Sequence, residues 1–184
     1  MVEVPVLEPT GDIRAARNKW RFRGQQRPEF ARSPGPGQES VWDYPRPPVV
    51  ESVTKRIKVC FRDKVLATTL AGKRVLETSG APTYYLPPSV VDLSAVHFSD
   101  ATSLCEWKGL AQAMEIDGVE VGWRYIQMFP EFIELYLWVS FYPARVNCYL
   151  ADELARPQAG GYYGGWMTDD IVGPVKGSPG SADW

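Results

Sequence analysis

The segment Leu104-Cys-Glu-Trp-Lys-Gly109 sets a thiol beside Glu106 and Lys108. An ammonium close to a cysteine lowers the thiol pKa and favours the thiolate, the form that attacks electrophiles and binds metals. Strand alternation would instead turn Cys105 and Trp107 inward as packing, and free cysteine is among the most buried residue types. A second concentration of polar and aromatic groups lies at Arg74–Leu86. Arg74 and Glu77 stand three apart, so on a strand they point to opposite faces. If Val75 faces the core, Glu77 does too, and a buried carboxylate needs a partner. Thr83-Tyr84-Tyr85 follows a proline-constrained turn and offers either a phenol to a pocket or an aromatic belt closing one end of the fold. The candidate pocket residues are therefore Arg74, Glu77, Tyr84, Cys105, Trp107, Lys108 and Trp123. Polar groups set among aromatic walls are what a small-molecule site requires.

Other chemistries find less support. The chain has three cysteines (Cys60, Cys105, Cys148), no CxxC pair and one histidine, His97. A structural zinc site wants four Cys/His ligands in closely spaced pairs, so no metal is expected. A disulfide scaffold is equally disfavoured, which points to a reducing, intracellular compartment, the cytoplasm. No GxxxxGK[ST] loop occurs, and Gly160-Gly-Tyr-Tyr-Gly-Gly-Trp166 lacks the lysine and following helix that a phosphate loop needs. Lys176, set between Gly173 and Gly177, is a weak anion-loop signal in a class of lysines that are mostly solvated. No cofactor is indicated. No apolar run approaches the ~20 residues of a membrane span. Glu3 and Glu8 stand where a secretory leader needs basic residues and then an apolar run, so no leader is expected.

The elements that must position these residues divide into an arm and a body. In 184 residues with a net charge of -2, the window Arg14–Arg32 holds seven basic residues and a single acid, Glu29. These are Arg14, Arg17, Lys19, Arg21, Arg23, Arg27 and Arg32. Residues 1–37 read as a basic, proline-rich arm with a short helix near 13–22 capped by Asp12. Such an arm suits an acidic protein surface or assembly, with nucleic acid not excluded, or else it is a solvated tail. Residues 38–184 read as one mainly β domain, a compact β-tent or barrel-like body. Its strand candidates are Arg56–Phe61, Val65–Thr69, Arg74–Thr78, Tyr84–Leu86, Gln112–Ile116, Val119–Tyr125, Leu137–Tyr142 and Arg145–Tyr149. Asp117-Gly118 is a hairpin-turn signal, and Pro130–Tyr136 is a short helix candidate. The glycine-rich end carries Tyr162, Tyr163 and Trp166, so it reads as an ordered strap.

Taken in order, several segments resemble the domain-of-unknown-function family numbered 427. They are Val41-Trp-Asp-Tyr-Pro-Arg-Pro-Pro48, Arg74-Val-Leu-Glu-Thr-Ser79, Pro82-Thr-Tyr-Tyr-Leu-Pro87 and Cys105-Glu-Trp-Lys-Gly109. Phe141-Tyr-Pro143, Gly164-Gly-Trp166 and Asp170-Ile-Val-Gly-Pro-Val-Lys-Gly177 continue the series. The resemblance covers about residues 38–184 and implies a β-tent similar to methionine sulfoxide reductase B and the cereblon ligand-binding domain. Those relatives hold zinc through cysteine pairs that are lacking here. Some family members carry a provisional nucleotidyltransferase label, but no paired Asp/Glu motif for Mg²⁺ is evident, since Asp169-Asp170 would face opposite ways on a strand. Two departures matter. Gly80-Ala81 stands where the family usually has His-Pro, and Tyr125-Ile-Gln-Met128 where it usually has Tyr-Pro-x-Pro.

Two readings result. The first is a binding module docked to a larger acidic partner through the arm. The second is a small-molecule pocket, nucleotide-binding or enzymatic, with Glu77, Cys105 and Lys108 in the site.

Overall fold

Two-residue turns set much of the architecture. Asp117 and Gly118 both take positive φ, 52° and 75°, and fold the chain back so that Ile116 pairs with Val119. That backbone matches the right-handed twist of the flanking strands. Arg62-Asp63 and Ala151-Asp152 do the same elsewhere, with Arg62 and Ala151 left-handed.

The computed structural model describes residues 4–184. One helix, α1 (Gly11–Asn18), precedes β1 (Glu39–Ser40), β2 (Val49–Ser52), β3 (Ile57–Phe61), β4 (Lys64–Thr69), β5 (Lys73–Leu76) and β6 (Thr83–Tyr85). The long strands follow: β7 (His97–Cys105), β8 (Gly109–Ile116) and β9 (Val119–Met128). The chain ends with β10 (Val139–Phe141), β11 (Asn147–Leu150), β12 (Glu153–Leu154), β13 (Arg156–Pro157), β14 (Trp166–Met167) and β15 (Ile171–Val172). Two four-stranded sheets, ordered β10-β9-β8-β7 and β12-β11-β3-β4, stand with the three-stranded β2-β5-β6. Two short pairs, β1-β15 and β13-β14, complete the set, and none of these sheets closes into a barrel. The mainly β expectation therefore holds, as an assembly of small sheets.

All eight expected strands form within a few residues of their anticipated ends. The nine-residue β7 was not expected. Most of it is exposed, so it lacks the apolar alternation that marks a half-buried strand. The arm helix is shorter than 13–22. Its N-cap is Thr10, whose Oγ1 accepts from the Ile13 amide at 3.3 Å, rather than Asp12, which sits in the first turn. Pro130–Leu135 is a 3-10 turn.

The buried side chains gather in three clusters. One surrounds Val59, Met114, Phe141 and Trp166, and a second surrounds Tyr85, Trp123, Tyr125 and Leu135. The third joins the arm to the body. Trp42, fully buried, meets Phe22, Phe30 and Trp184 edge-on at 5.1–5.2 Å, and Phe30 stacks on Trp184 at 4.9 Å. Near its start the arm also runs beside β9, where Leu7 donates to the Met128 carbonyl and Met128 donates to that of Pro5.

Candidate functional site

A cleft of about 390 Å³ opens between β5, the β7–β8 turn, β9, the glycine-rich strap and the arm. Cys105-Glu-Trp-Lys-Gly109 proves to be the β7–β8 turn, with Cys105 paired to Gly109. Gly109 is required there: its φ is +127°, and a Cβ would lie 2.2 Å from the Gln127 carbonyl oxygen. The turn brings Cys105, Glu106 and Lys108 to the cleft together, while Trp107 is buried beneath it. No strand alternation runs through Trp107, which lies in the turn, yet it is buried in the second cluster and Cys105, the last residue of β7, packs against that cluster.

Of the seven candidate pocket residues, Glu77, Cys105, Lys108 and Trp123 line the cleft. Arg74 does not. It turns outward to Glu39 at 3.0 Å and Glu51 at 2.8 Å, and those bonds, against the cost of burial, hold its pKa above the arginine value. Tyr84 packs against Trp166 at 4.8 Å in the first cluster, and its neighbour Tyr85 faces the cleft instead. Trp107 lies under the Arg17 guanidinium, 5.3 Å from its ring centre. His97 is exposed on β7. No group of three or more His, Cys, Asp or Glu side chains able to hold a metal occurs among the described residues.

Three cleft residues from outside the candidate set shape the site. Arg46 is buried, and its Nε donates to Glu77 at 3.1 Å. Its two other nitrogens donate to the Phe22 and Thr78 carbonyls. Burial lowers its pKa, with Glu77 opposing, so Glu77 serves as its counter-ion. Trp20, from the arm, donates its indole N–H to Glu106 at 2.9 Å. Its ring lies 4.7 Å from the Arg46 guanidinium and 3.2 Å from the Lys176 ammonium. Lys176 is only 7% exposed. Its amide donates to Ser79, and its carbonyl accepts from Gln158, which also receives the Ala81 amide. The glycine setting of Lys176 was the one sequence signal for it. Nothing in the sequence pointed to Arg46 or Trp20, which reach the cleft by long-range packing.

The two cleft lysines differ electrostatically. Burial disfavours the Lys108 ammonium, but Cys105, Tyr85 and Glu77 outweigh it and raise the pKa above the ordinary lysine value. For Lys176, burial and then Arg46 pull the pKa down to about 8, against Glu77 and Glu106. Among the described residues neither ammonium forms an ion pair with a side chain, and the Cys105 sulfur stands beside that of Lys108. The Tyr85 hydroxyl, fully buried, is unpartnered.

Lys19, Arg46, Lys108 and Lys176 face Glu77 and Glu106, which leaves the lining with a cationic excess. Trp123, Tyr125 and Tyr142 supply flat apolar walls, with the Trp123 ring lying so close to the strap that only a glycine fits at Gly164.

Residues 49–152 match the family model described as a domain of unknown function (DUF427). The chain belongs to that family. No curated protein matches it. The DUF427 segment contains Glu77, Tyr85, Cys105, Lys108 and Trp123, whereas Trp20, Arg46, Gln158 and Lys176 fall outside it. The cleft is therefore a DUF427 framework closed by the two flanking segments.

Proposed function

We propose that this protein binds a small anionic molecule with a flat apolar part in the cleft. The observation that carries the reading is the cationic excess of the lining, which includes Lys108, 9% exposed and in no ion pair among the described residues. An anionic ligand group would pair with that excess, and the unpartnered Tyr85 hydroxyl would add a donor. The volume lies in the range of small-ligand sites, and the aromatic walls suit a planar body. The arm supports this reading as well, because Trp20 and Lys19 line the cleft. Free Cys60, Cys105 and Cys148 fit a reducing cytoplasmic setting, and no helix among the described residues is long and apolar enough to cross a membrane.

Native mass spectrometry of the full-length protein, followed by thermal unfolding with inorganic phosphate, a nucleoside monophosphate and benzoate, tests the proposal. Lys108→Met should abolish any retained mass and any anion-induced shift while leaving the protein folded. Equal shifts in wild type and Lys108→Met would overturn it.

The docking reading keeps a narrower basis. Arg17 is spent on Glu106 and Glu131, Arg23 on the Arg17 and Asn18 carbonyls, and Arg27 on Asp43 at 2.6 Å. Arg14, Arg21 and Arg32 are exposed without an acidic partner among the described residues, and Lys19 edges the cleft. Replacing those three arginines by serine should abolish a salt-sensitive association with an acidic partner if the arm docks the protein; undiminished association would end that idea.

A further inference from the structure

Lys176 has three features that an ordinary structural lysine does not combine. Its ammonium is buried in the cleft, it lies 3.2 Å from the centre of the Trp20 ring, and its only hydrogen bond among the described residues is a long one, 3.3 Å, to the Trp184 main-chain oxygen. A surface lysine would be hydrated, and a structural buried lysine would hold a carboxylate. The carboxylates nearby are engaged elsewhere: Glu77 with Arg46, and Glu106 with the Trp20 indole.

We infer that Lys176 is an imine-forming lysine and that the cleft takes a carbonyl compound carrying an anionic group. This rests on the cleft being a small-molecule site, and it adds the chemical class. Lysine becomes a nucleophile when it is desolvated or set next to another cation, because only the neutral amine attacks. Both conditions hold here. The groups facing Lys176 are Arg46 and Lys19, which repel its charge, and Glu77 and Glu106, which favour it; the Tyr163 ring stands farther off at 5.9 Å. The indole face attracts the cation, but burial and Arg46 prevail, and the pKa falls to about 8. At neutral pH roughly a tenth of the amine is then uncharged, against far less than 1% for an exposed lysine.

The step balances without a further reagent. The Lys176 nitrogen lone pair bonds to the carbonyl carbon as the C=O π electrons move to oxygen. A carbinolamine forms, and the carbonyl oxygen leaves as water with the two amine protons. The product is a C=N bond, and nothing is oxidised or reduced. Lys108, also in the lining, would hold the anionic group.

Pyridoxal 5′-phosphate is the probe, since it joins an aldehyde to a phosphate on a flat ring. The full-length protein is incubated with a limiting amount at pH 7.5, treated with borohydride and mapped by peptide mass spectrometry. Lys176 should be modified at least about 10-fold faster than exposed Lys55 and Lys64, with the advantage shrinking toward pH 10.5. Pyridoxine 5′-phosphate, which has no carbonyl, should protect Lys176 without adding mass. Lys176→Arg should still be stabilised by pyridoxine 5′-phosphate yet lose the reduced adduct. Labelling of Lys176 no faster than Lys55 would overturn the inference. If Lys108-dependent stabilisation by phosphate persisted in that case, the anion site would survive without imine chemistry; if it too were absent, both readings would fall.

Discussion

Lys108 and Lys176 reach one cleft from distant parts of the chain, and burial has acted on them in opposite directions. Lys108 keeps its charge through Cys105, Tyr85 and Glu77. Replacing it with methionine removes the buried charge while retaining the side-chain length. Because those neighbours favour the charged form, Lys108→Met should lower the unfolding midpoint by a few degrees, about 1 kcal/mol, and also lose anion binding. A purely structural lysine would lower the midpoint without changing anion binding. Glu77→Gln behaves differently from the simple pocket residue expected at first, because it strands the guanidinium of Arg46, whose side chain is 1% exposed. A loss of about 2 kcal/mol in denaturant unfolding is expected, and the double variant Arg46→Met with Glu77→Gln should recover part of it. At this scale the sequence was informative where chemistry and local turn coincide, at Cys105, Lys108 and Glu77. It misled at Tyr84. Both tyrosines of β6 are buried, each in a different cluster, so alternation could not tell which face held the cleft.

Among the elements, the β7–β8 turn and the strap position the most. Gly109→Ala forces a Cβ against the Gln127 carbonyl at a φ that L residues rarely adopt. It should cost about 3 kcal/mol or more and reduce anion binding by displacing Lys108, as thermal unfolding and titration of the same sample would reveal. The hairpins were legible because their signals are local: Asp117-Gly118 dictates its own turn, and the short apolar runs dictate their strands. The arm was legible only in composition. Its fate depends on Trp42 and Trp184 offering aromatic surface to Phe22 and Phe30, a meeting that no spacing rule encodes. β7 stayed hidden because its outer residues have no core to face.

For the molecule as a whole, pH dependence follows from the shifted groups. Lys176, with a folded pKa of about 8 against the ordinary lysine value, opposes folding while charged, so its contribution makes stability rise as pH passes from about 8 toward 10.5. Burial raises the pKa of Tyr44, Tyr84, Tyr85, Tyr125, Tyr142 and Tyr163, so their contribution is intact below the ordinary tyrosine value near 10 and is lost above it. Burial raises the pKa of the Cys148 thiol as well, so its contribution is lost from about pH 9 upward. The unfolding midpoint should thus climb between about pH 8 and 9 and turn down above that, and Lys176→Met should flatten only the climb. A midpoint falling steadily from pH 7 would contradict this. Deleting residues 1–37 removes Trp20 from the cleft and Phe22 and Phe30 from Trp42, and should lower the midpoint by at least about 10 °C while abolishing anion binding. The parallel pairing of β1 with β15 has a further consequence during synthesis. It joins Glu39 to Ile171, and Trp42 beside it donates to Pro174, 132 residues later. On the ribosome, everything through β14 must emerge and wait before this clasp can close. Since Lys176 follows the clasp, the nascent chain passes this interval with the hairpins formed but the cleft unfinished. Completion of the cleft therefore waits on chain made long after the hairpins have formed.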